Sequence, residues 1–63
     1  MEFDMQKFFR IAEVCARTGL SKATIYRLQA AGEFPRAVRL GLRSVGWLVA
    51  ELDQWEASRK RTA

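Results

Sequence analysis

Histidine is absent from this chain, and cysteine occurs once, at Cys15. These gaps remove whole classes of chemistry. A structural zinc site needs about four nitrogen or sulfur ligands. A disulfide needs a second thiol, and histidine is the usual proton-transfer group near neutral pH. There is also no glycine-rich phosphate loop. No metal, cofactor or catalytic group is therefore expected, and the chain is not expected to be an enzyme. No apolar run approaches the roughly 18 residues that suggest a membrane span. The opening MEFDMQKFFR lacks the basic-then-apolar order of a signal peptide. A cytoplasmic location is the expectation. Acids are scarce in the middle of the chain. From residue 17 to residue 43, Arg17, Lys22, Arg27, Arg36, Arg39 and Arg43 meet only Glu33. Glu51, Asp53 and Glu56 follow with no base among them, and the tail carries Arg59, Lys60 and Arg61.

What remains is apolar packing and a basic surface. With 63 residues the chain is one small domain, and domains of this size bury only about 60% of their unfolded surface. Phe8, Phe9, Ile11, Val14, Leu20, Ile25, Leu28, Phe34, Val38, Leu40, Val45, Trp47, Leu48, Leu52 and Trp55 supply enough side chains for one core. Residues 1–7 read as a flexible lead-in, 8–60 as the domain and 61–63 as a basic tail.

Three helical segments and two short strands follow from the pattern. Ile11, Val14, Cys15 and Thr18 fall on one stripe at i, i+3, i+4 and i+7, which makes Cys15 core filler rather than a nucleophile. Gly19 stops that helix. Ser21 is an N-cap for a second helix running to about Ala31, with Leu20 and Ile25 at hydrophobic-staple spacing. Gly32 stops the second helix, and Pro35 prevents EFPRAV from continuing it. Val38 and Leu40 alternate with Arg39, and Val45 and Trp47 with Gly46, as two strands of a hairpin. If the apolar residues of both strands share one face, Leu40 opposes Val45 and Val38 opposes Trp47. Gly41-Leu42-Arg43-Ser44 is then a four-residue tip. Leu48, Leu52 and Trp55 mark a last helix from about Leu48 to Lys60, with no evident N-cap.

The second helix carries the functional signal. With Ile25 at the centre of the buried side and about 100° per residue, Ala23, Arg27 and Ala30 fall nearly opposite. Lys22 and Tyr26 lie on one shoulder and Thr24 on the other. Small residues ringed by Lys, Tyr and Arg suit a helix laid in the major groove. Arg can bond guanine bidentately, while Lys, Tyr and hydroxyls hold phosphates. Ser21 and the free N–H groups at the helix start can take a further phosphate. Each residue also has a plainer reading: Arg27 solvated or paired with Glu33, and Tyr26 folded against the hairpin. Arg43 at the ribbon tip can enter a minor groove. Arg36 and Arg39 can reach phosphates, and Ser44 flanks the tip. Leu42 calls for a minor-groove contact, a partner, or a tip that tolerates one exposed leucine.

Helix, glycine turn, helix, two-stranded wing and helix, carried by EVCARTGLSKATIYRL, GEFPRAVRLG, RSVGW and ELDQW, resemble the MerR-like winged helix-turn-helix. The chain is most similar to AlpA-type phage regulators and small excisionases. The resemblance implies a mainly α fold with a two-stranded β-wing. It implies a sequence-specific binder of double-stranded DNA from a prophage or integrative element, acting in regulation of an integrase gene, in excision, or in both. SKATIYR would be its major-groove helix and LGLRS its wing. The chain departs from the family pattern at Leu48-Val49-Ala50, where a polar cap is common, and at Gly46, which would loosen the wing. It is expected to lack the long dimerisation helix of true MerR regulators. Several copies on adjacent sites, meeting through Leu42 and the acidic face of the last helix, or an integrase or RNA polymerase partner, would then supply specificity. A protein-binding adaptor that docks an acidic partner is the rival reading. RNA binding is a third, with few stacking aromatics to support it beyond Tyr26.

Overall fold

The computed structural model describes residues 7–59, so the expected tail and most of the expected lead-in lie outside the described residues. In chain order the elements are β1 (Phe8–Phe9), α1 (Ile11–Thr18), α2 (Lys22–Ala30), β2 (Val38–Arg39), β3 (Val45–Leu48) and α3 (Val49–Ser58). Val14, Ile25, Trp47 and Leu52 are fully buried and Phe34 nearly so. Each comes from a different part of the chain, so one core ties together all three helices, the central strand and the loop after α2. Phe9, Ile11, Cys15, Leu20, Leu28 and Trp55 pack around it, whereas Val38, Leu40 and Val45, expected in the core, stay exposed on the short ribbon.

The helix ends follow local chemistry. The Glu13 carboxylate accepts from the Arg10 N–H at 2.9 Å and caps the start of α1. Gly19 closes that helix at φ 77°, donating to the Cys15 carbonyl at 2.8 Å. Thr18 supports the same turn. Its Oγ1 donates to the Val14 carbonyl at 2.8 Å and accepts from the Leu20 N–H at 3.2 Å. Ser21 caps α2 by accepting from the Thr24 N–H at 3.1 Å. Gly32, again at φ 77°, ends it: Gly32 N–H donates to the Gln29 carbonyl and Glu33 N–H to the Leu28 carbonyl, the paired pattern of a Schellman turn.

The two-stranded ribbon expected from the sequence is present, and a third strand joins it. The sheet is antiparallel in the order β1-β3-β2, with β1 in register Phe8↔Leu48 and Phe9↔Trp47. Residue 7, placed in the lead-in by the sequence pattern, takes part in this arrangement. The Lys7 carbonyl accepts from the Val49 N–H at 2.9 Å. That bond answers the missing polar cap of α3, whose N-cap residue Leu48 provides no side-chain hydrogen bond. A backbone carbonyl just before β1 takes the place of a capping side chain.

The hairpin register differs by one residue from the expectation. Val38 pairs with Gly46 and Arg39 with Val45, so Leu40 does not oppose Val45 and Val38 does not oppose Trp47. Leu40 N–H donates to the Ser44 carbonyl at 2.7 Å and Gly41 N–H to the same oxygen at 3.2 Å. The tip therefore narrows to Gly41-Leu42-Arg43. The physical reason is Gly46. A Cβ placed there would sit 2.7 Å from Leu40 Cδ1, 3.3 Å from Phe8 Cβ and 3.3 Å from the Phe9 carbonyl oxygen. The missing side chain gives Leu40 a seat and lets β1 approach closely, so Gly46 seats the wing rather than loosening it.

Candidate nucleic-acid interface

Burial of Ile25 on the inner side of α2 fixes what that helix turns outward. Ser21, Lys22, Ala23, Tyr26, Arg27 and Ala30 are exposed, while Thr24 is half-buried. The Ser21 and Thr24 hydroxyls are tied to one another, with Ser21 Oγ donating to Thr24 Oγ1 at 2.9 Å. Ser21 thus has a structural duty as cap beside any contact it makes. Tyr26 meets its plainer reading in part. Its ring lies against Trp47, with centroids 6.1 Å apart and planes tilted by 51°, yet it keeps 38% of its surface exposed. The phenol is held at the join between α2 and the sheet.

The wing presents Leu42 and Arg43 at its apex. Leu42 is 88% exposed. Arg39 does not simply extend from the strand; its Nη1 donates to the Leu42 carbonyl at 3.1 Å. The guanidinium carries five N–H donors, so this bond braces the tip and leaves donors for an anion. Ser44 is half-buried, and its carbonyl receives the two tip N–H groups. Arg36 is exposed on the loop between α2 and β2.

That loop is pinned by two tryptophans that the sequence pattern assigned only to packing, and by Gln29. Trp55 Nε1 donates to the Glu33 carbonyl at 2.9 Å, and Trp47 Nε1 to the Pro35 carbonyl at 3.0 Å. Gln29 Oε1 accepts from the Ala37 N–H at 2.9 Å. Both indoles also stack their apolar bodies inward, with Phe34 edge-on to Trp55 at 4.7 Å. The available signal was that a buried indole N–H needs an acceptor; which acceptor depends on distant chain.

Arg17 leaves the basic surface. Its Nε and Nη2 hold both oxygens of Glu56 at 2.9 Å, and Nη2 also meets Asp53. Its guanidinium lies 5.8 Å from the centre of the Phe9 ring. The hydrogen bonds to Glu56, then to Asp53, raise its pKa above the ordinary arginine value despite desolvation. The acidic side of α3 is consequently engaged within the molecule at Asp53 and Glu56, and not simply presented to a neighbour. The cations turned outward by α2, its following loop and the wing are Lys22, Arg27, Arg36, Arg39 and Arg43.

Residues 7–60 match the family model described as prophage CP4-57 regulatory protein (AlpA). The chain belongs to the AlpA family. Among its relatives, the DNA-binding transcriptional activator AlpA of Escherichia coli K12 is 38% identical over 61 residues, covering 84% of each chain. Uncharacterized protein ORF88 of Enterobacteria phage P4 is 43% identical over 58 residues, covering 92% of this chain and 66% of that protein. This AlpA-family chain thus spans about two thirds of the phage protein's length. Its three helices and small antiparallel sheet are compatible with a winged helix-turn-helix. Among the described residues no helix is long and apolar enough to cross a membrane.

Proposed function

We propose that this chain is a sequence-specific binder of double-stranded DNA that regulates transcription in a prophage or integrative element. The integrase gene is the favoured target, and a part in excision would use the same interface. The observation that carries the reading is the arrangement of α2. Ile25 is fully buried while Lys22, Tyr26 and Arg27 stand exposed around Ala23 and Ala30, the shape of a helix seated in a major groove. Arg27 reads a base edge, Lys22 and Tyr26 hold phosphates, and the Gly41-Leu42-Arg43 tip meets the adjacent minor groove. Kinship with an E. coli protein described as a DNA-binding transcriptional activator supports this reading. A module of this size reads few base pairs, so further copies on neighbouring sites, an integrase or RNA polymerase complete its specificity.

Selection of bound duplexes from a random pool tests the proposal. A defined motif, placed at an integrase promoter or an attachment site, is the expected result. Against that motif Arg27→Ala should cost about 1–3 kcal/mol and relax preference at one position. An adaptor that docks an acidic protein instead would show little salt-dependent retention of duplex, and that outcome would overturn the DNA reading.

A further inference from the structure

Single exposed leucines are common on protein surfaces, but Leu42 is not left loose. Three hydrogen bonds converge on the tip that carries it: Leu40 N–H and Gly41 N–H to the Ser44 carbonyl, and Arg39 Nη1 to the Leu42 carbonyl. The root of the tip is seated as well, because the Leu40 side chain occupies the space left by Gly46. A rigid ribbon thus holds one apolar side chain out at 88% exposure, with Arg43 beside it and the Arg39 guanidinium folded under it. A leucine between two arginines, at the apex of a narrow projection, is too small an apolar patch for a protein interface and carries the wrong charge for a membrane interior. It matches the chemistry of an apolar wedge entering a minor groove, where arginines meet the flanking phosphates and an aliphatic side chain parts two base pairs.

We propose that Leu42 inserts between stacked base pairs in the minor groove and bends the DNA, at a pyrimidine–purine step where unstacking is easiest. This rests on the DNA-binding reading above and adds to it a deformation that the major-groove helix alone would not produce. Arg39 is then a positioning residue: its bond to the Leu42 carbonyl keeps the wedge upright.

The test uses the duplex recovered by selection, with 2-aminopurine substituted in turn at each purine of the flank expected beneath the wing. Gel mobility of circularly permuted fragments reports bending. Wild-type protein should bend the duplex by about 20–90° and raise 2-aminopurine fluorescence at one step. Leu42→Ser, compared at protein concentrations that saturate the duplex, should reduce the bend at least by half and abolish the fluorescence rise. Leu42→Met should preserve both signals. An equal bend and fluorescence rise with Leu42→Ser would overturn the wedge and leave the DNA reading intact, as would wild-type binding without any bend. A Leu42→Ser defect confined to occupancy of a second, adjacent site would reassign the side chain to a contact between copies, again overturning the wedge. Wild-type protein that retards no duplex would remove the DNA reading itself.

Discussion

At residue 46 a single missing methyl group decides how the wing is mounted. Leu40 Cδ1 lies 2.7 Å from where a Cβ would stand, and the Phe9 carbonyl oxygen lies 3.3 Å from the same point. Gly46→Ala gains a little by restricting the unfolded chain but forces Leu40 aside and presses on backbone. A net loss of about 1–2 kcal/mol is expected from such overpacking, measured by urea unfolding. In a Leu40→Ala background the penalty should shrink, because the nearer obstacle is gone. An undiminished penalty would place the clash on β1, at the Phe8 Cβ and the Phe9 carbonyl. The two tryptophans offer a matched pair at the same scale. Trp47 is fully buried and Trp55 half-buried, and each donates its indole N–H to a carbonyl of the loop before β2. Trp47→Phe strands the Pro35 carbonyl and leaves a void, and should cost about 3 kcal/mol. Trp55→Phe should cost about 1 kcal/mol, because water can reach the Glu33 carbonyl. Equal losses would mean that exposure does not set the cost of the unmade bond.

Among the elements, α1 and α2 were legible because their limits are written in adjacent residues. Gly19 and Gly32 adopt positive φ, and Ser21 caps the second helix within three residues of its own position. The outward face of α2 was legible for the same reason: helical spacing around Ile25 assigns every neighbour a side. The sheet was less so. The register was inferred from an alternation that assumes all apolar residues share one face. In fact Val38 and Leu40 lie on the face of Gly46, while Val45 shares the face of Trp47 and Arg39. A two-residue strand such as β1 carries no period of its own; it exists because β3 offers a partner. The cap of α3 was hidden for the same cause, since its acceptor is the carbonyl of Lys7. At the candidate interface, the bracing role of Arg39 depends on the folded tip. The engagement of Arg17 depends on partners 36 and 39 residues away. Sequence charge counts Arg17 as available; the fold spends it between α1 and α3.

For the whole molecule this distinction separates net charge from charge that meets a ligand. The formal net charge of +4 includes Arg17, yet its guanidinium is bonded to Glu56 and Asp53 and lies over Phe9. Lys22 is exposed at the start of α2. Counterion release counts only cations that neutralise phosphates, at about 0.9 in the logarithmic salt slope for each. Lys22→Ala should therefore lower the magnitude of that slope by about one. Arg17→Gln should leave the slope unchanged and act on stability instead, lowering the urea midpoint without altering the dependence on denaturant. Both variants remove the same formal charge, so a theory based on net charge predicts equal slopes for them. A titration of duplex affinity against salt, with unfolding curves for the same two proteins, decides between the accounts. Equal slopes would return Arg17 to the interface and break the division of labour between the α1–α3 clamp and the outward cations of α2 and the wing.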